Sequence, residues 1–361
     1  MSRMALDTAA QPLAAWRLGR RGKFLVLGLM VVLAFFASIR LGAVSVTGAD
    51  IAGALLSPLG IAVPGADIGT VEVLKIIRLP RAVLALFVGG GLAIAGAALQ
   101  GLFRNPLADP GLIGVSSGSG LAAALVIILG GSFSFLLPPS IRPVILPLAA
   151  FAGGCLATVL VFLLGTRRGA SSVALILLAG VAVGAICQTG IGLLTYMSND
   201  NQLRTFAFWS MGSLAAGSWA GMAPALGLIA LGIAVLARQA NALNAFLLGE
   251  AEAWHVGVDV TRLKHVTIIM SALVVGACVA ISGGIGFVGL VVPHLVRMMF
   301  GPDHRTLIPA SGLLGAALLS CADIIARLAV IPAELPIGIV TTLVGGPFFI
   351  WLLLGQRRKM F

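Results

Sequence analysis

The residues able to do chemistry in this chain are few, and their spacing fits none of the common reactions. The soft ligands are four histidines, His255, His265, His294 and His304, and four cysteines, Cys155, Cys187, Cys278 and Cys321. No CxxC pair, HExxH helix or Cys/His metal spacing occurs, so no metal centre is expected. The cysteines all lie in apolar runs and read as small buried thiols. The histidines read as loop or cap residues. No Gly-x-Ser-x-Gly turn is present, and no GxxxxGK[ST] loop that could cradle ATP phosphates, so no catalytic residue is expected. What remains is charge: 23 Lys and Arg against 12 Asp and Glu, a net +11. A nucleic-acid surface would gather these into a patch with interleaved aromatics. Here they sit in short caps between apolar runs, so no nucleic-acid partner is expected.

The elements between those caps define the class. Hydrophobic residues make up 59% of the chain and charged residues 10%, and the mean hydropathy is +1.10. Soluble domains keep about a quarter of their residues charged. Too little polar surface exists to coat a globule, and the expected solvent is lipid. The 47 glycines suit helices packed closely through small faces. A crossing needs about 20 apolar residues, and ten such spans are predicted: 24–41, 79–103, 112–131, 144–165, 173–196, 219–237, 264–282, 284–300, 307–326 and 337–354. Val266 to Phe300 is almost unbroken, about 52 Å as one helix, so Ser282-Gly283-Gly284 is taken as a break. The expected fold is all-α and polytopic. Residues 1–23 form a basic N-terminus, 24–354 the ten-helix domain with a loop at 238–263, and 355–361 a tail.

An even span count puts both termini on one side. Both are basic, Arg17 to Lys23 and Arg357-Arg358-Lys359, so the positive-inside rule places them in the cytoplasm. The basic N-terminus before Phe24 to Ala37 resembles a signal peptide, but with nine spans following, an uncleaved anchor fits better. Of the 23 basic residues, seven then fall outside: Arg40, Lys75, Arg78, Arg81, Arg142, Arg204 and Arg327.

Ala85 to Ala97, ALFVGGGLAIAGA, matches Ala272 to Gly284, ALVVGACVAISGG, at seven of thirteen positions. The two lie five spans apart and would cross in opposite directions, as in an inverted repeat. The span middles are free of Asp, Glu, Lys and Arg, which counts against ion coupling; Asp323 comes nearest, close to an outer end. An ion-coupled secondary transporter is the rival reading. Loop 238–263 offers two short helices. The first is apolar through Leu243, Phe246 and Leu247, and ends at Gly249. The second opens with Glu250 and Glu252. Taken alone it is either an amphipathic surface helix or a dock for a soluble partner.

Several stretches together resemble one family, the type II ABC importer permeases for iron-siderophores, haem and cobalamin. They are Arg78-Leu-Pro-Arg81; Phe103-Arg-Asn-Pro-Leu-Ala-Asp-Pro-Gly111 with Gly114-Val-Ser-Ser-Gly-Ser-Gly120; Leu248-Gly-Glu250; Gly286-Phe-Val-Gly-Leu-Val-Val-Pro-His-Leu-Val-Arg297 with Asp303-His-Arg305; and Ala322-Asp-Ile-Ile-Ala-Arg327 with Pro332-Ala-Glu-Leu-Pro-Ile-Gly338. The resemblance implies a homodimer around one central pathway in the bacterial inner membrane. It also implies two separate ATPase subunits that use ATP and Mg, and a periplasmic binding protein. This chain itself would bind no cofactor. By this resemblance Arg78, Arg81 and Arg327 dock the binding protein, though interfacial snorkelling would also account for them. Asn105 and Leu107 match the cytoplasmic gate, or else a proline-bounded turn; Ser171 and Ser172 match a second constriction. Leu243, Phe246, Gly249, Glu250 and Glu252 match the ATPase-coupling helices. Gly118 and Gly120 are expected along the pathway, with Tyr196, Met197 and Met211 as possible substrate contacts. Phe206 to Trp219 most resembles haem permeases; ferric siderophore and cobalamin are the alternatives.

Overall fold

An apolar run in lipid can satisfy its backbone polar groups only by coiling on itself, and the chain does so almost throughout. The computed structural model describes residues 19–42, 44–133, 138, 141–167, 170–215 and 217–360; Arg17 and most of the predicted N-terminal segment lie outside them. The helices are α1 (Arg20–Arg40), α2 (Gly48–Leu56), α3 (Ile68–Val73), α4 (Leu79–Leu102), α5 (Val115–Phe133), α6 (Arg142–Gly165), α7 (Val173–Tyr196), α8 (Asp200–Ser210), α9 (Trp219–Arg238), α10 (Ala240–Leu248), α11 (Glu250–His255), α12 (Val260–Ser282), α13 (Val288–Phe300), α14 (His304–Leu328) and α15 (Ile337–Met360). Among the described residues the one strand pairing is β1 (Thr166–Arg167) with β2 (Ala170–Ser171), Thr166 lying opposite Ser171.

Among the described residues, seven helical stretches are long and apolar enough to cross a membrane: Arg20–Arg40, Ile68–Leu102, Arg142–Gly165, Val173–Tyr196, Trp219–Arg238, Val260–Ser282 and His304–Leu328. Three shorter apolar helices, Val115–Gly130, Val288–Phe300 and Ile337–Leu352, stand at the remaining predicted positions. The eighth span differs from expectation. Residues Gly283 to Phe287 are not helical, and α13 has only 13 residues, about 20 Å against a hydrocarbon core of about 30 Å. Gly283 and Phe287 both have positive φ, 68° and 67°, which ends α12 and delays α13. Three helices were not anticipated. α2 is held by a Thr47–Asp50 capping box, α3 by an Asp67 N-cap and α8 by an Asn199–Gln202 capping box. The predicted tail is a continuation of α15 as far as Met360.

α4 is the centre of the molecule. Every residue from Val88 to Leu102 is buried, with α14, α12, α13 and α9 packed around it and α1 outside α14. α5, α6 and α7 form a second group, joined to the first through α12. Leu156, Leu163, Leu178 and Ile186 on α6 and α7 are more than half exposed, as lipid-facing side chains should be. The cysteines divide: Cys187 and Cys278 are buried, Cys155 is half-buried, and Cys321 is exposed, against the expectation of four buried thiols.

Backbone contact at glycines sets the helix spacing. A Cβ on Gly96 would collide with the Gly289 carbonyl of α13, and Gly89 and Gly315 meet in the same way across α4 and α14. Small residues let backbones approach closely and so favour helix association in lipid through van der Waals packing. Gly96→Leu is therefore expected to cost about 1–3 kcal/mol or more by overpacking. An unchanged melting temperature in detergent would contradict this.

Candidate functional site

Three places carry the residues singled out by sequence. The first is one end of the bundle, where α1 and α14 finish and α4 begins. Arg78 is buried and donates from Nη1 to the carbonyls of Ile39 (2.8 Å) and Arg40 (3.1 Å) and from Nη2 to that of Val44 (2.6 Å). Arg81 donates from Nε to Asp323 Oδ1 at 3.0 Å, and its Nη2 lies 2.9 Å from the same oxygen. Its Nη1 contacts both oxygens of Glu334, at 3.0 and 2.9 Å. Arg327 donates to the Ser38 and Leu41 carbonyls and to the Ser38 hydroxyl. Its Nε lies 3.1 Å from Asp323 Oδ2, too poorly aligned for a hydrogen bond. The three arginines expected to dock a binding protein are thus each also held by partners inside the subunit. They still line a cleft of about 180 Å³ whose rim includes Ile331 and Glu334.

The second place is a cavity of about 650 Å³. It is bounded by two interruptions of the α-helices: Asp109 to Gly111 after α4, where an extended Asp109 opens a 3-10 turn, and the non-helical Gly284 to Gly286 after α12. These follow the two segments matched in sequence. Ser116, Ser117 and Thr342 add hydroxyls, and Leu92 and Val275 add apolar wall. Asp109 is the one acid on the lining; its Oδ1 accepts from the Gly111 N–H at 2.7 Å. Of the five residues expected on the pathway, Met211 lines this cavity. Gly118 instead meets the Gly153 carbonyl and Ala157 of α6, a packing role, and Gly120 faces Ile191 of α7. Tyr196 and Met197 end α7, 89% and 65% exposed. Sequence reasoning missed Asp109, Ser116 and Ser117, although the helix breaks around them were the usable signal.

The third place is the opposite end, at α10 and α11. Leu243 and Phe246 are fully buried, so they anchor α10 to the bundle and do not face outward. The exposed apolar residues here are Leu248 (73%), Trp254 (68%) and Val256 (68%), with Leu247 at 37%. Gly249, at φ 141° and ψ 159°, turns the chain between the two helices, a backbone that glycine accommodates. Glu250 pairs with Lys264 of α12 at 2.8 Å, while Glu252 is exposed. Lys264 and Arg104 both approach the Phe246 ring, at 5.9 and 5.4 Å from its centroid. Arg104 belongs to the turn that holds the gate candidates and has a positive φ of 48°. Within that turn Asn105 Oδ1 accepts from Leu107 N–H at 2.9 Å. Ser172 caps α7 through the Leu175 N–H, and Ser171 stands in β2.

The same end is braced by Asn244. It donates to Asp303 at 2.7 Å, and its oxygen accepts from the His304 N–H at 2.8 Å. The Asn244 amide, and then the Arg305 backbone N–H, hold the Asp303 carboxyl below the usual carboxylate range. The histidines are not all caps: His255 ends α11 and buried His304 opens α14, but His265 lies inside α12 against Phe162, and His294 inside α13. Among the described residues no cluster of three or more metal-ligating side chains occurs.

Comparison with known proteins fits this architecture. Residues 30–355 match the FecCD transport family. The hemin transport system permease protein HmuU of Yersinia pestis is 48% identical over 283 residues, 78% of this chain and 83% of that protein. The cobalamin import system permease protein BtuC of Halobacterium salinarum is 43% identical over 280 residues, 77% and 72% of the two chains. The vitamin B12 permease BtuC of Vibrio cholerae is 42% identical over 278 residues, 77% and 81%. A solved chain assigned to the metal-chelate type of ABC transporter, in an inward-facing conformation, superposes with a TM-score of 0.80 at 33% identity, covering 93% of this chain and 99% of that one. With helix breaks around a cavity open to the surface, a bundle held by glycine contacts and a matching sequence over most of its length, the chain belongs to the FecCD transport family, the permease subunits of ABC transporters.

Proposed function

We propose that this chain forms the ten-helix half of a homodimeric importer that carries haem from the periplasm to the cytoplasm by alternating access. The observation that carries the reading is the cavity of about 650 Å³ bounded by both helix breaks, within the 300–1,000 Å³ usual for small-molecule sites. Two copies would join their cavities about the dimer axis. The permease with 48% identity is a hemin transporter, which favours haem. In this reading both termini face the cytoplasm and the chain sits in the inner membrane. ATP and Mg act on two separate ATPase subunits seated against Leu248, Trp254 and Val256. Their motion reaches Asn105 and Leu107 through Phe246 and Arg104, with Ser171 and Ser172 as a second constriction. A periplasmic binding protein docks over Arg78, Arg81 and Arg327.

Cobalamin is the second reading, favoured by the B12 permeases that match over a similar length at 42% and 43% identity. Uptake by proteoliposomes carrying permease, ATPase and binding protein separates the two. ATP-dependent haem accumulation is expected. Cobalamin accumulation without haem selects the second reading. Uptake without the ATPase that an ionophore abolishes would overturn both.

A further inference from the structure

We propose that Glu334 occupies Arg81 as an internal stand-in for a carboxylate of the periplasmic binding protein, so that docking exchanges one acid for another. The proposal rests on the docking role given above to the arginine end and adds how that end is kept before a partner arrives.

The two acids on Arg81 are not equivalent. Asp323 takes the Nε and Nη2 edge and is 1% exposed, sealed between α4 and α14. Glu334 takes only Nη1, with both of its oxygens on that single nitrogen, and its side chain is 43% exposed. It lacks the parallel two-nitrogen fork that makes arginine–carboxylate pairs strong and specific. A half-exposed pair of this kind contributes at most about 1 kcal/mol. Asp323 is thus a fixed partner and Glu334 a replaceable one.

The backbone allows the exchange without unfolding. Leu335 is pinned by its N–H to the Ala326 carbonyl at 3.0 Å, and Ile337 and Gly338 by theirs to Gly212 and Met211. Glu334 can swing away by side-chain rotation while its neighbours stay fixed. The cleft it leaves is walled by Arg78, Arg81 and Arg327, with Ile331 and Pro332 on its apolar side. Three guanidiniums against Asp323 and Glu334 leave one net positive charge, and against Asp323 alone leave two. Release of Glu334 therefore raises the attraction for an incoming acid. While Glu334 stays in place it gives the buried Arg81 a second counter-charge beside Asp323, which Arg81 shares with Arg327.

The test uses the assembled permease–ATPase complex in nanodiscs and the cognate binding protein. Replacing Ile331, 58% exposed on the cleft rim, with a photo-crosslinking residue reports where that protein docks. Glu334→Gln removes the competing charge. We expect a crosslink at position 331, and capture by the Glu334→Gln complex roughly fivefold tighter at low salt, the worth of the lost competitor. Absence of the crosslink would overturn the docking reading and the exchange with it. A crosslink with unchanged or weaker capture by Glu334→Gln would leave docking standing and overturn the exchange.

Discussion

Asp323→Asn should lower the stability of the permease by about 3–5 kcal/mol, because it strips the charge from a buried acid shared by two arginines. Asp323 is completely buried, between Arg81 at 2.9 Å and Arg327 at 3.1 Å. The asparagine fills the same space, so the loss is electrostatic: two guanidiniums, both with side chains under a tenth exposed, keep their charge with no fixed counter-ion. Three elements then loosen together, since Arg327 also ties the end of α1 through Ser38 and Leu41, and Arg81 opens α4. Glu334→Gln is the control. It removes the same formal charge from a side chain 43% exposed and should cost under about 1 kcal/mol. Thermal melting of the three proteins in one detergent decides the matter; equal melting of Asp323→Asn and parent would refute it.

Trp254→Ala should weaken ATPase attachment by about thirtyfold, the effect of losing a central aromatic anchor. Trp254 is 68% exposed on α11, near in sequence to the exposed Leu248 and Val256, and the bundle leaves it uncovered. Glu250 has a less direct part than its place in the motif suggests, because its carboxylate is spent on Lys264. Glu252→Gln, on an exposed residue that has no ion pair among the described residues, should change attachment little. Titration of the purified ATPase onto nanodisc-bound permease measures both. Equal affinity of Trp254→Ala and parent would remove this surface from the coupling assignment.

Hydrophobic run length was enough to locate the apolar helices. The prediction of 79–103 became Leu79–Leu102, and 173–196 became Val173–Tyr196. α8 escaped because capping, not hydropathy, defines it: Asn199 and Gln202 cap its first turn reciprocally. The side of a helix that a small residue faces was harder to read. Gly118 and Gly120 looked alike as pathway glycines, yet Gly118 is needed for contact with Gly153. Charge partners separated by long stretches of sequence were not legible at all. Arg81 and Asp323 stand 242 residues apart, and nothing local to either announces that the other neutralises it. The same limit turned Leu243 and Phe246 from surface contacts into anchors.

The stretch from Ile68 to Leu102 is a single helical rod of 35 residues, about 52 Å long where a bilayer with its headgroups measures about 40–45 Å. One unbroken run of helical backbone therefore reaches from beyond the arginine cleft to within three residues of Asn105. Its hydrogen-bond register changes at the π-helical turn Leu74–Arg78, which ends on the first of the cleft arginines.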